Sequence, residues 1–393
     1  MADLLLFNPG CELEVANGSP VYTPQKFPKI LETDLQTLPM FLSNSGDCVA
    51  VYSNIDKDYI EFWKDYFPCD FLSINNAARY NELKFNNFRP WGISPRAFYL
   101  AKDFNFADDF LKNSPVSEFR SCHKQLFSRE TSTKFFRDIL LSSDSSAVFP
   151  SKDESPLIVK TLDEALDFFH DSMSGRHHGC VFKAPFGSSG RGVRIFRNSS
   201  LSDNILQWTQ FVIKTQGCVE CEVLFDRVCD FSMHYTIKNG KAIFEGVSYF
   251  NTADNGFYKS SIVKRFSELP GFEKMSARKL SEIQTKVLNN SVYTELYSGA
   301  LGIDCMVYRD NGELKINPCV EINCRNSMGR LAMQISNLVC EDSTANFFVY
   351  QKKQAEPAFS QKPQFQDGKL KSGFWELTPQ NTQIFSAGIL ATQ

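Results

Sequence analysis

An excess of positive charge is the first thing this sequence lacks: 42 Lys and Arg stand against 45 Asp and Glu over 393 residues, a net charge of −3. Without a basic field there is no non-specific hold on a phosphate backbone, so nucleic acid is not an expected partner. No stretch approaches the roughly 18 consecutive apolar residues of a membrane span. The opening residues, Met1 to Pro9, carry no basic segment and stop being apolar after Phe7, which reads as a first strand and not a signal peptide. A soluble, cytoplasmic protein without a membrane partner is expected. Disulfide density is missing too, since twelve cysteines are scattered from Cys11 to Cys340 and are expected as reduced thiols. Cys218 and Cys221 have no second Cys pair at zinc-ribbon spacing and are expected as ordinary packing. A repeat of roughly 20 to 50 residues is absent, which sets aside solenoids and propellers.

What is present is a globular composition, 42% apolar and 13% aromatic, in a chain long enough for two or three modules. Up to residue 118, short apolar runs at 4–7, 48–52 and 71–74 alternate with helix-like stretches at 29–41 and 60–67. That alternation predicts a βαβ module on a parallel sheet. Helix-like segments at 123–141 and 162–169 follow, separated by a Ser/Asp/Pro loop at 142–156. From residue 180 the pattern changes to paired strands: 180–184 with 193–196, and 231–237 with 241–247 across Asn239-Gly240, a strong hairpin signal. A helix over 275–297 is predicted to end at Gly299. Strands at 302–308 and 314–323 then flank Asn311-Gly312. The Lys-, Gln- and Pro-rich stretch 351–372 reads as a surface excursion before a last strand.

The most informative segment is Val181-Phe182-Lys183-Ala184-Pro185-Phe186-Gly187-Ser188-Ser189-Gly190-Arg191-Gly192-Val193. Its glycines let backbone N–H groups approach and cradle phosphate oxygens. It is not a Walker loop, because Val193 stands where Lys is required. It is not a dinucleotide fingerprint, because the spacing differs and the chain continues into a strand. Nor does a protein-kinase His-Arg-Asp or Asp-Phe-Gly follow. Two readings remain open: a phosphate flap with Lys183 above it, or a glycine-rich hairpin with an exposed lysine.

A second signal comes from the Asn311-Gly312 turn. A two-residue turn pairs 310 with 313, 308 with 315 and 304 with 319, which puts Asp304, Glu321 and Asn323 on one face. The two acids then lie diagonally, roughly 7 to 8 Å apart between backbones. Apolar neighbours Ile303, Met306, Val320 and Ile322 argue against a solvated face. Oxygen ligands without histidine suit Mg²⁺ or Mn²⁺ and not zinc.

Taken in order, these motifs resemble the ATP-grasp superfamily of carboxylate ligases. The matching pieces are Val181-Phe182-Lys183 with its flap, Val219-Glu220-Cys221-Glu222-Val223-Leu224, Asp230-Phe231-Ser232-Met233, Leu301-Gly302-Ile303-Asp304 and Glu321-Ile322-Asn323-Cys324-Arg325. The resemblance covers about 120–330 and implies an α/β (α+β) fold. It implies a βαβ pre-ATP-grasp, substrate-binding domain at 1–118, an ATP-grasp domain at 119–350 and a C-terminal extension with a final strand at 351–393. It further implies ATP and Mg²⁺ as cofactors. Lys183 would contact the α- and β-phosphates, and Lys124 stands where the family's earlier nucleotide-binding lysine falls, with His123 where the family usually has Asp. The Gly187, Ser188, Ser189, Gly190 and Gly192 loop would close over the phosphates. Glu222 would accept from the adenine amino group, with Glu220 a competitor on the same strand face. Val223 and Leu224 would form the hinge and Asp230 would hold the ribose. Asp304, Glu321 and Asn323 would hold the metal, and Arg325 would face the transferring phosphoryl group. Either Lys259 or Lys264 would reach the γ-phosphate.

The activity implied is an ADP-forming ligase that joins a small-molecule or peptide carboxylate to an amine through an acyl phosphate. A phosphotransferase acting on a hydroxyl and a non-catalytic nucleotide-binding protein are the alternatives. Other features weigh less. His177-His178 lack partners at metal-ligand spacing, and His234 reads as a hydrogen-bonded strand histidine. The 8–11 and 17–20 loops are either substrate loops or ordinary turns, and Arg96 is a candidate partner for a carboxylate.

Overall fold

The computed structural model describes residues 2–142, 148–175, 179–187, 192–197, 200–252, 258–263 and 275–392. The N-terminal module is the expected parallel sheet, in the order Asp70–Ser73, Cys48–Val51, Leu4–Leu6, Phe88–Pro90. Its central strand is a continuous apolar run because helices cover both faces, and Leu4, Leu5 and Leu6 are at most 2% exposed. The crossover helices are Lys26–Asp34 and Lys57–Trp63, the latter capped by Asp56, whose carboxylate accepts from the Asp58 and Tyr59 N–H groups. Arg96 does meet carboxylates, but they are the chain's own: Nη1 reaches Glu14 at 2.8 Å and Glu32 at 2.7 Å. The 17–20 turn is an ordinary cap, with Gly18 at φ 80° closing the helix Cys11–Asn17.

A second, antiparallel sheet runs Leu157–Val159, Val219–Val223, Cys180–Lys183, Val193–Phe196, with helices Leu162–Ser174 and Asp203–Gln216 over its apolar face. The 123–141 prediction resolves into a 3-10 turn, Ser121–Phe127, and a helix, Arg129–Ser142. All twelve cysteines are free thiols, and Cys218 and Cys221 are buried packing.

The third sheet has nine strands and supplies the largest core. Asp226–Lys238 sits between Lys241–Thr252 and Gly299–Asp310, and the latter pairs with Glu313–Asn323. Both hairpins turn as predicted, with positive φ at Asn239 and Gly240 (51° and 69°) and at Asn311 and Gly312 (51° and 85°). The 275–297 helix does not run through. It breaks into Ala277–Leu288 and Val292–Leu296, because Asn289 turns its Oδ1 to the Ala242 N–H and Ser291 caps a fresh helix. Gly299 accordingly opens a strand instead of closing a helix. The 351–372 stretch contributes more than an excursion: Lys369–Glu376 joins Phe385–Thr392 in the large sheet, burying Leu370, Trp375 and Ile389.

His234 is buried on the central strand beside Arg330, with Nε2 2.7 Å from Ser248 Oγ, and burial pushes its ring down to about pKa 3. The native state therefore refuses a proton that the unfolded chain accepts near pH 6.5. Stability present above that pH is lost as pH falls, with a slope approaching about 1.4 kcal/mol per pH unit. Urea unfolding of His234→Asn should lack this component; identical pH slopes in parent and variant would contradict the neutral assignment.

Candidate active site

The hairpin of Gly299–Asp310 and Glu313–Asn323 follows its turn-dictated register only as far as Met306 and Asn317. Beyond it Asp304 pairs with Glu321, so Pro318, Cys319 and Val320 bulge opposite Cys305. The expected 304–319 pairing is corrected here. Pro318 has no N–H for the ladder, and the bulge is held by Gln284 Nε2 donating to Pro318 O at 2.8 Å and Cys319 N to Asn317 Oδ1 at 3.1 Å. Asp304 and Glu321 are thus directly opposed, closer than the diagonal pairing allowed.

Asp304 is half-buried; it accepts from Ser232 Oγ through Oδ1 and from Asn323 Nδ2 at 2.9 Å through Oδ2. Burial pushes its carboxyl up to about 6, and the Glu321 charge adds to that rise. Glu321 pairs with Arg129 Nη2 at 2.7 Å. Arg325 donates through Nη2 to Asn323 Oδ1 at 3.0 Å and through Nε to Glu12, at the start of the Cys11–Asn17 helix. The N-terminal module therefore reaches directly into the hairpin.

Lys183 is 6% exposed, opposes Glu220 in the second sheet and bonds Glu222 at 2.7 Å. Glu220 accepts from Thr133 Oγ1 at 2.6 Å, and burial, with Glu222 next to it, pushes its carboxyl up to about 7. Arg129 lies 3.7 Å from Glu220 and donates to Ala184 O. Glu222 Oε1, Glu220 Oε2 and Arg129 Nε are buried without hydrogen-bond partners among the described residues. Orphaned acceptors beside Lys183 suit an amino-bearing, phosphate-bearing ligand. Two opposed carboxylates with the Asn323 amide oxygen suit a hard divalent cation such as Mg²⁺.

The remaining predicted positions are less concentrated. Lys124 is exposed, and its Nζ lies 5.1 Å from the centroid of the Phe186 ring. The Leu224 N–H is spent on Gly179 O at 2.9 Å, so it is not free to serve a ligand as a hinge donor. Asp230 Oδ2 is held by Thr252 Oγ1 at 2.9 Å and Arg227 Nη1 at 3.1 Å. Gly187 is buried, and Gly192, at φ 81°, closes the hairpin by accepting from Ala184 N. Ser188, Ser189, Gly190, Arg191, Lys264, His177 and His178 lie outside the described residues.

A cleft of about 1240 Å³ opens beside the hairpin. Asp304, Glu321, Asn323 and Arg325 line it together with Lys259, and Pro9 and Gly10 of the 8–11 loop face them. Lys183, Glu222 and Asp230 are not part of that lining. Sequence reasoning missed Arg129 and Glu12. Arg129 carries one available signal, since it precedes buried Ser132 and Phe136 by three and seven residues on one helix face. Glu12 carries none, because its partner is 313 residues away.

No family model matches the chain, and no curated protein matches it. Solved structures do. N5-carboxyaminoimidazole synthetase from Staphylococcus aureus, complexed with ADP, aligns at 12% identity and TM-score 0.50 over 100% of this chain and 93% of its own. Biotin carboxylase from Campylobacter jejuni, in complex with beta-gamma-ATP, aligns at 11% and 0.50 over 99% and 87%. At these identities the likeness establishes the fold.

Proposed function

We propose that this chain, which has the ATP-grasp fold, is an ATP- and Mg²⁺-dependent ligase that activates a carboxylate as an acyl phosphate for attack by an amine. The observation that carries this reading is the opposed Asp304–Glu321 pair with Asn323 and Arg325, facing a cleft that the N-terminal module completes. Mg²⁺ held by Asp304, Glu321 and Asn323 would neutralise phosphate charge. Lys183 and Lys259 would position the phosphates, and Glu222 or Glu220 would accept from the adenine amino group. A substrate carboxylate oxygen attacks the γ-phosphorus, the bond to the bridging oxygen breaks and ADP leaves. The amine then attacks the acyl carbon, a proton is lost and inorganic phosphate departs. Arg325 would hold the developing charge of the transferring group, and enclosure would keep water from the acyl phosphate.

The deciding experiment is hydroxylamine trapping during ATP turnover in the presence of carboxylate substrate. A ligase yields ADP, inorganic phosphate and a hydroxamate. ADP with a stable phosphoester and no hydroxamate would replace this reading with a phosphotransferase. ATP binding with no turnover on any carboxylate or hydroxyl substrate would replace it with a nucleotide-binding protein.

Lys183→Met should weaken ATP binding by tenfold or more, since one charge-assisted phosphate contact contributes about 1.5 to 3 kcal/mol. A titration giving the parent's dissociation constant would remove Lys183 from the phosphate site.

A further inference from the structure

We infer that the carboxylate taken by this site is amphiphilic, with an aromatic or alkyl body lying along the cleft and its carboxylate at the Asp304–Arg325 end. This rests on the ligase reading and adds the substrate class to it. The cleft, at about 1240 Å³, has room for a substrate body beside the phosphates and Mg²⁺ assigned to its hairpin end. Asp304, Glu321 and Arg325 charge its hairpin end; the rest of the lining mixes Glu14, Glu32, Lys259, Glu356, Asn346, Gln351 and Gln354 with two apolar stretches. One stretch lies on the Lys26–Asp34 helix, where Phe27 and Leu31, one turn apart, both face the cleft. Phe27 is 54% exposed.

A second apolar stretch of the lining comes from the strand Thr344–Gln351. Phe347 points into the core at 0% exposure, so its alternate neighbours Phe348 and Tyr350 stand on the other face and line the cleft. Phe359 extends that stretch, its ring centroid 5.1 Å from Phe348 and 4.8 Å from Tyr350. A small polar acid would occupy the charged end and leave these rings wet. A body that covers them gains apolar burial along the length of the cleft.

The polar corner of the cleft argues the same way. Glu14 and Glu32 line it, and both are already bonded to Arg96, at 2.8 and 2.7 Å. Arg96 also donates to Glu32 Oε2 at 2.9 Å, and two carboxylates around one guanidinium leave this corner net negative, which disfavours an anionic group of the ligand there. The body of the substrate therefore carries no anionic group where it passes this corner.

The test measures binding by calorimetry on the full chain with Mg²⁺ and a non-hydrolysable ATP analogue. The probes are dodecanoate, N-benzoyl-phenylalanine, acetate and glutamate. Either apolar probe should bind at least tenfold more tightly than acetate or glutamate, and which of the two wins identifies an alkyl or an aromatic body. In the variants Phe27→Ser and Phe348→Ser that preference should shrink at least fivefold, with circular dichroism and nucleotide affinity unchanged. Tighter binding of glutamate than of both apolar probes, or an unchanged preference in both variants, overturns the inference. The two readings fail separately. Hydroxamate formation from a small polar acid alone keeps the ligase and removes the amphiphilic substrate, whereas selective apolar binding with a stable phosphoester product does the reverse.

Discussion

Glu321→Gln should lower ATP-dependent turnover on the order of 10²-fold or more and raise the Mg²⁺ concentration needed for what remains. Glutamine keeps the side-chain length and an acceptor oxygen for Arg129 Nη2, which lies 2.7 Å from Glu321 in the parent. It removes one of the two charges facing the metal position. Alanine is the poorer test, because Arg129 is 3% exposed and would keep only Glu220, at 3.7 Å, as a charged partner within reach. Stranding a buried guanidinium costs about 3 to 5 kcal/mol, so Glu321→Ala confounds catalysis with unfolding. The informative measurement is a Mg²⁺ titration of ADP release, with thermal unfolding alongside. Parent-like turnover at parent-like Mg²⁺ would take Glu321 out of the metal set.

The face that carries this prediction was legible in the sequence for a reason that survives an error. Counting from Asn311-Gly312 pairs residue 304 with 319, whereas the bulge at Pro318 pairs Asp304 with Glu321. The slip is two residues, and side chains alternate with period two, so Asp304, Glu321 and Asn323 stay on one face. A slip of one would have turned the set over. The parallel sheet was legible because strands buried on both faces read as unbroken apolar runs, Leu4–Leu6 most clearly.

What was not legible depends on contacts distant in sequence or on competition between local hydrogen bonds. The Arg325–Glu12 pair joins two modules, and no pattern in either segment announces it. The break at residues 289–291 follows from Asn289 bonding a neighbouring strand, which helical periodicity alone does not contain. The strand Lys369–Glu376 was hidden by its Lys- and Gln-rich approach, although Leu370 and Trp375 pack into the core and Phe374 stacks on Phe359 on the other face once it pairs with Phe385–Thr392. Glu220 and Glu222 stay rivals, because both are buried and each has an oxygen without a hydrogen-bond partner among the described residues.

Arg129→Met should cost the fold about 3 to 5 kcal/mol, because it leaves buried acids without their counter-charge. Arg129 bonds Glu321 at 2.7 Å, lies 3.7 Å from Glu220 and donates to the Ala184 carbonyl, so it ties the large sheet to the second sheet. The cost should depend on pH in a definite direction. Burial and Glu222 already hold Glu220 up to about 7, while Arg129 and Lys183 pull it down. Without Arg129 the carboxyl rises further, so around neutral pH the native state holds a proton that the unfolded chain, near 4.5, has lost. Stability then falls as pH rises, and the variant should lose more relative to the parent at pH 8 than at pH 6. Adding Glu220→Gln should recover part of the loss and flatten that slope, since the amide has no charge to strand. Urea unfolding of the parent, single and double variants at both pH values decides the matter. A single variant as stable as the parent at both pH values would show that Lys183 alone balances this cluster.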